Sequence, residues 1–490
     1  MKRLAGIDAN FLYAETETTL MHTLKIGVFD SPRAGVNVLA QLKLQVTHHA
    51  RGLEVLRRRV VFVPFGLAHP VWITDANVDA ERHVFHRRVA SPGGAREMDS
   101  AIASIASTSL RRDRPLFEVW LLEGRSDGTL VVVVKLHHAV ADGVASAAIL
   151  SHIASDASAP TGSTSPDPRR RRLLRDALAE KPRRAREFVR LLAKTARDFR
   201  TARPESSEPR APKPFEADQT VFNGAMPSQR SMATARLPLE SLKQVRRAAS
   251  LLGERITLND VYMTLAAISI RRYLAEIDES PVRHILASVP VSVRLRGGAG
   301  RTSGNHLSNF MTRLPMHVDA PLEVLSAVHA DATIAKANQE ALGERTMTAW
   351  AEYTPANLFR LALKAYSKYR VADRHRPPAN LVLSNVRGPA QPIRLGGLRL
   401  RELYSVGPVL HGIGLNVTAW SYAGELGICM QSRGDLPLAL HRLTDGMAVA
   451  LTELRDALDL GQFEVPVRDG HMEVGSSPRP KKKGKVAPGR

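Results

Sequence analysis

Two adjacent histidines, His137 and His138, are followed at a fixed distance by Asp142 and Gly143. An imidazole titrates near neutral pH, so a histidine held at the mouth of a cleft can take a proton from a hydroxyl and hand one back. Asp142 comes four residues after His138, and Gly143 can adopt the positive φ that a tight reversal needs. The spacing suits a braced turn, with one imidazole aimed into a cleft and the carboxylate folded back against the loop. A lone histidine at a strand end is most often an ordinary polar residue. Two together, with a spaced Asp-Gly, form a much narrower pattern.

The elements around the pair must hold it still. Residues 129–135, Thr-Leu-Val-Val-Val-Val-Lys, form a β-branched and nearly continuous apolar run, which predicts a buried central strand. Residues 144–150 are small and helix-compatible, so the histidines fall where a strand ends and a helix soon begins. Ser126-Asp127-Gly128 signals a hairpin back to a strand at 119–123. Other histidines compete for attention. His22 reads as a polar residue starting a strand over 23–29. His48-His49 closes a helix over 38–49 with no Asp-Gly at the right distance. His83 and His86, three apart in an extended stretch, face opposite ways. With no cysteine near them, a metal site is not expected.

At 490 residues the chain is too long for one core and predicts two domains. Its single cysteine, Cys429, excludes an intrachain disulfide and a cysteine-based metal cluster, and fits a reducing compartment. The start lacks the apolar run of a signal peptide, and no stretch of about 18 apolar residues predicts a membrane span. The net charge is +21, but residues 168–203 carry a net +10 and residues 479–490 a net +6. The remaining bodies are close to neutral. A basic field spread over a fold would suggest nucleic acid; charge confined to a linker and a tail does not, and points to an anionic surface or to solubility.

The pattern predicts four regions: 1–155 carrying the histidine pair, a basic linker at 156–218, a second domain at 219–465 and a basic, irregular tail at 466–490. Within the linker a helix is expected over 183–200. Phe188, Leu191, Leu192 and Phe199 fall on one side and Arg186, Arg190, Lys194, Arg197 and Arg200 on the other. Such a helix can lie in a membrane interface or dock its apolar stripe on the protein, and the sequence leaves both open. In the second domain Thr257 is an N-cap candidate for a helix running to 274, with Asp260 in its first turn. Further helices are expected over 96–109, 239–251, 320–337 and 437–458, and a strand over 286–293.

The HHxxxDG spacing of residues 137–143 resembles the motif of CoA-dependent acyltransferases and of peptide-synthetase condensation domains. Other stretches narrow this. Residues 8–13 with Glu15 and Met21-His22 resemble the opening of bacterial wax ester synthases/diacylglycerol acyltransferases. Arg114-Pro115-Leu116-Phe117 resembles that family's PLW element, with Phe117 in place of Trp. Thr220–Gly224 resembles its "FNG" entry, Asn259-Asp260 its second signature, and residues 304–309 its GNxxS element. Leu381–Pro389 resembles its strand and "SNVPGP" turn, with Arg387 where Pro is usual.

The resemblance implies an α/β fold of mixed sheets: two chloramphenicol-acetyltransferase-like domains with the active site in a tunnel between them. It implies transfer of a fatty acyl group from acyl-CoA to diacylglycerol or a long-chain alcohol, with acyl-CoA as co-substrate and no cofactor or metal. His138 is the expected general base, in a catalytic motif with His137, Asp142 and Gly143. Asn259, Asp260 and Phe117 are expected at the substrate. In condensation domains the motif aspartate pairs with a later arginine, and Arg294 stands in the comparable place for Asp142. A condensation-like enzyme using carrier-bound thioesters, or a lipid-binding protein without turnover, remains open at this point. The expected location is cytoplasmic, on an anionic membrane or lipid-droplet surface.

Overall fold

The computed structural model describes residues 1–75, 78–141, 146, 149, 164, 166–201, 211–279, 282–292, 307–342, 349–389, 392–395 and 397–461. In chain order the strands are β1 (Lys2–Arg3), β2 (His22–Phe29), β3 (Arg58–Val61), β4 (Val71–Thr74), β5 (Val84–Arg88), β6 (Phe117–Glu123), β7 (Leu130–His137), β8 (Arg230–Pro238), β9 (His284–Ser292), β10 (Leu307–Pro315), β11 (Leu381–Arg387), β12 (Arg394–Leu395), β13 (Leu398–Val406), β14 (Leu415–Tyr422) and β15 (Glu425–Arg433). The helices that matter below are α1 (Gly6–Tyr13), α2 (Val38–Gly52), α3 (Ala95–Ala106), α4 (Arg170–Thr201), α5 (Leu239–Ser250), α6 (Leu258–Glu276), α7 (Pro321–Leu342), α8 (Ala356–Lys368) and α9 (His441–Asp456).

Two six-stranded mixed sheets dominate, in the orders β12-β13-β2-β7-β6-β5 and β10-β9-β11-β14-β15-β8. β5 runs parallel to β6 in the first sheet, and β11 runs parallel to β14 and β9 in the second, while the other pairs are antiparallel. β7 is central, flanked by β2 and β6, as its β-branched run predicts. The second sheet is covered by α6, α7 and α9 around a core that includes Tyr262, Leu265, Leu443 and Leu451. α6 opens with the expected cap: Thr257 accepts from Asp260 N–H while the Asp260 carboxylate accepts from Thr257 N–H.

β13 departs from the simple division of the chain. It lies within 219–465, yet pairs in register with β2, Leu403 opposite Gly27 and Tyr404 opposite Ile26. The first sheet is therefore completed by chain from the far half of the sequence. α4 also differs from expectation. It begins at Arg170, well before 183, and continues through Pro182. Docking keeps it helical despite an internal proline, which costs about 3 kcal/mol. Leu173 and Ala177 are buried, Arg3 pairs with Glu180 at 3.0 Å, and Phe188 packs on Trp350 and Tyr353. Of the two readings left open for this helix, docking holds along this side; Val189 and Leu192 remain exposed. Among the described residues no helix is long and apolar enough to cross a membrane.

Candidate active site

Strand alternation sorts the first sheet into two faces. Leu130, Val132 and Leu136 of β7 belong to the apolar cluster beneath α1 and α2. Val131 and Val133 face the other way, towards α3, with Lys135 and His137 in the same phase. Lys135 is fully buried and donates to the carbonyls of Ile105 and Thr108 at 3.0 and 2.5 Å, with Glu118 at 3.5 Å. It thereby satisfies carbonyls at the end of α3 and ties that helix to the motif strand. Burial lowers its pKa, against the raising influence of Glu118.

The same alternation separates the histidine pair. His137 ends the strand and is 1% exposed. Its Nδ1 accepts a hydrogen bond from Ala139 N–H at 3.1 Å, and its carbonyl accepts from Val140 N–H at 2.9 Å. Burial holds its pKa well below the usual histidine value, and the Arg112 charge adds to the shift. A neutral ring that accepts at Nδ1 carries its proton on Nε2. That atom lies 3.7 Å from Oε2 of Glu15. The other Glu15 oxygen lies 3.2 Å from His22 Nε2, and Arg112 binds the same carboxylate. His22 is likewise held neutral, chiefly by burial and then by Lys135. Thus His137, His22, Arg112 and Glu15 form a closed group on the α3 side of β7.

His138 lies just past the strand and is only half-buried. Its N–H donates to Met21 carbonyl at 2.7 Å, and its ring stacks on Phe11 of α1 with centroids 4.2 Å apart. Phe11 packs on the same cluster as Leu130, Val132 and Leu136. That face also carries an apolar cavity. Its walls include Phe117 of β6, Val132 and Val134 of β7, Gly27 of β2, Leu403 of β13 and His49 of α2. The cavity lies on one face of the first sheet, with Leu400 and Leu403 of the crossover strand β13 in its floor and Leu42, Val46 and His49 of α2 over it. Phe117 is buried, stacked on His83 at 4.2 Å, and lines it.

Asn259 and Asp260 open α6 in the second sheet's helical layer. Besides the cap, Asp260 pairs with His329 at 2.8 Å, and Lys336 lies at 3.9 Å. Asn259 donates to Met263 Sδ at 3.7 Å. Their partners are thus on α6, at its N-cap and on α7. Asp142, Gly143 and Arg294 lie outside the described residues, as does any pairing between them. Glu15, read from the sequence only as part of the opening segment, is the acid that the fold brings to His137, His22 and Arg112. Its signal was an acid just after an apolar helix, seven residues before a strand-starting histidine.

The arrangement is that of a two-sheet acyltransferase fold. The structure aligns with a wax ester synthase/diacylglycerol acyltransferase from Marinobacter aquaeolei VT8 at a TM-score of 0.64 and 23% identity, over 94% of this chain and 100% of that one. It aligns with the first condensation domain of the CDA synthetase at 0.53 and 16% identity, over 93% and 97%. Residues 4–262 match the model of the wax ester synthase/diacylglycerol acyltransferase catalytic domain, and residues 303–455 that of the WS/DGAT C-terminal domain. A Mycobacterium tuberculosis protein named as a diacylglycerol O-acyltransferase is 35% identical over 467 residues, 94% of this chain and 97% of its own. A second from that organism is 32% identical over 480 residues, covering 94% and 91%. The chain belongs to the wax ester synthase/diacylglycerol acyltransferase family.

Proposed function

We propose that this protein transfers a fatty acyl group from acyl-CoA to the hydroxyl of a diacylglycerol or a long-chain alcohol, with His138 as general base. The observation that carries the assignment is the division of labour within the pair. His137 is buried with its Nδ1 committed to the turn, whereas His138 is half-buried on the face that holds the apolar cavity. In this reading His138 takes the hydroxyl proton as the alcohol oxygen attacks the thioester carbonyl. A tetrahedral oxyanion forms, the C–S bond breaks, and the imidazolium returns the proton to the departing CoA sulfur. Moving the proton in the transition state contributes typically about 10²–10⁴-fold. The acyl chain lies along Val134 and Val132 towards Gly27.

Acyl-CoA acts as co-substrate, and the reaction as written needs no cofactor, since the thioester is already activated. Asn259 remains the candidate for orienting substrate, and the Asp142–Arg294 pair for bracing the motif loop. The protein works at the cytoplasmic side of an anionic membrane or lipid-droplet surface. The test is purified protein with radiolabelled palmitoyl-CoA and either diacylglycerol or hexadecanol. Labelled triacylglycerol or wax ester, lost in His138→Ala, is the expected result. No labelled ester from either acceptor would reject the reading in favour of lipid binding without turnover.

A further inference from the structure

On one side of the molecule α8 turns leucines outward. Leu358 and Leu361, one turn apart, are each 65% exposed. The helix sequence, ANLFRLALKAYSK, carries Arg360, Lys364 and Lys368 and no carboxylate. The acids nearest in sequence are engaged inward: Glu352 accepts from Gly6 N–H and Asp373 from Ala225 N–H, both at 2.6 Å. Beside α8 the turn Pro64-Phe65-Gly66 projects Phe65, whose ring is 70% exposed. Phe65 is held at φ 58°, a left-handed conformation that costs a bulky residue strain. Asn357 of α8 fixes it by donating to the Phe65 carbonyl at 2.7 Å, and the Arg170 guanidinium stands 6.0 Å over the ring. A soluble body gains nothing from straining its backbone to hold an aromatic ring in water.

Directly beneath lies a second cavity of about 160 Å³, bounded by Phe65, Arg360 and Asn357 outside and by Phe62 and Tyr13 inside. Tyr13 ends α1, the helix whose Phe11 stacks on His138. The Arg112 guanidinium, which binds Glu15, stands 5.7 Å from the Phe62 ring on the inner side. From the geometry we infer that α8 and the Phe65 turn form a docking face for an anionic lipid surface, and that the cavity beneath is the doorway through which an apolar acceptor alcohol leaves that surface for the active site. The doorway rests on the acyl-transfer reading; the docking face does not. Apolar side chains ringed by cations match a layer of acyl chains under anionic headgroups. A water-soluble anionic partner would leave the leucines and Phe65 unexplained.

The test uses the full chain and vesicles of phosphatidylcholine with or without phosphatidylglycerol. Flotation should recover the parent protein with the anionic vesicles, and salt should weaken that recovery. Leu358→Gln with Leu361→Gln, and separately Lys364→Glu with Lys368→Glu, should each cut binding about tenfold, with unchanged melting temperatures. Phe65→Gly relieves the positive φ, so it should fold at least as well and still bind less. On vesicle-borne diacylglycerol the α8 variants should lose activity in step with binding, while a soluble short-chain alcohol is esterified at the parent rate. Unchanged flotation of all three variants overturns the docking face, as does equal parent binding to neutral vesicles. Variants that change only the oligomeric state would mean that a second copy covers this face, and overturn it too. Full activity on vesicle-borne acceptor despite lost binding overturns the doorway. A parent that floats but esterifies neither acceptor leaves the docking face standing and sinks the acyl-transfer reading instead.

Discussion

The two histidines of the motif should fail in different ways. Replacing His137 by Ala removes a ring that is 1% exposed and leaves Ala139 N–H without its acceptor. An unpaired buried N–H costs about 1–3 kcal/mol, and the emptied space adds a large-to-small penalty of about 2 kcal/mol or more. The expected loss is about 3–5 kcal/mol. At about 2–4 °C per kcal/mol for a unit of 150–250 residues, that lowers the melting temperature by roughly 10 °C. His138 is only half-buried, so His138→Ala should change stability by less than about 1 kcal/mol while lowering the rate about 10²–10⁴-fold. His137→Asn distinguishes the roles. A shorter amide oxygen at this position can still accept from the N–H two residues on, as in an Asx-turn. It should therefore recover much of the thermal stability and, with it, much of the activity. Scanning fluorimetry and initial rates with labelled palmitoyl-CoA read both quantities on one preparation. If His137→Asn melts like the parent but is as inactive as His138→Ala, the buried ring itself does chemistry and the division of labour is wrong.

Glu15→Gln keeps the shape of the group that His137, His22 and Arg112 share but removes its charge, so it should lower activity more than stability; equal rates for parent and variant would contradict the role assigned to Glu15. Lys135→Met removes the donor to the Thr108 carbonyl and the cation beside Glu118, while the Ile105 carbonyl keeps the Thr108 hydroxyl at 2.9 Å. A denaturant midpoint shifted by the equivalent of about 3–5 kcal/mol is expected, and a shift under about 1 kcal/mol would refute the ion-pair account. Gly27→Val puts side-chain atoms where even a Cβ would meet Leu400 and Phe29 at 2.8 Å. It should shift preference towards shorter acyl-CoA chains, as competition between labelled chain lengths would reveal. Burial holds His22, His137 and His69 below the ordinary histidine value, and His411 down at about 4. The unfolded chain therefore binds protons that the folded one refuses as pH falls below about 6.5, and stability must fall with it. A melting temperature that stays flat from pH 7.5 to 5 would show that these rings are not neutral in the fold.

What could be read without the structure follows from where each signal resides. β7 was legible because its partners on both sides are apolar strands and its own residues say so. α6 was legible because Thr257 and Asp260 form a cap with a sequence signature. The opposed faces of His137 and His138 follow from a period of two. β13 was not legible as part of the first sheet, because its pairing with β2 is written nowhere in its local sequence. α8 was not legible because Leu358 and Leu361 sit beside its inward Phe359, Leu363 and Tyr366 and blur the apolar stripe. The reach of α4 back to Arg170 was hidden by an arginine run that resembles linker and by Pro182. The Glu15 group was invisible for the same reason as β13: its members come from separate segments and meet only in the fold.

The crossover strand has a further consequence for how the protein is made. During synthesis the N-terminal half leaves the ribosome first, and domains ordinarily fold in that order. Here β2 pairs on one side with β7, but its other edge waits for residues 398–406. Until that stretch emerges, a strand buried along its whole length in the fold offers an open row of hydrogen-bonding groups to any neighbouring chain. A nascent chain stalled before Leu398 is therefore a sticky species rather than a half-finished enzyme. Yield in a heterologous host should then depend on how quickly translation passes that point and on the chaperones that guard the edge meanwhile.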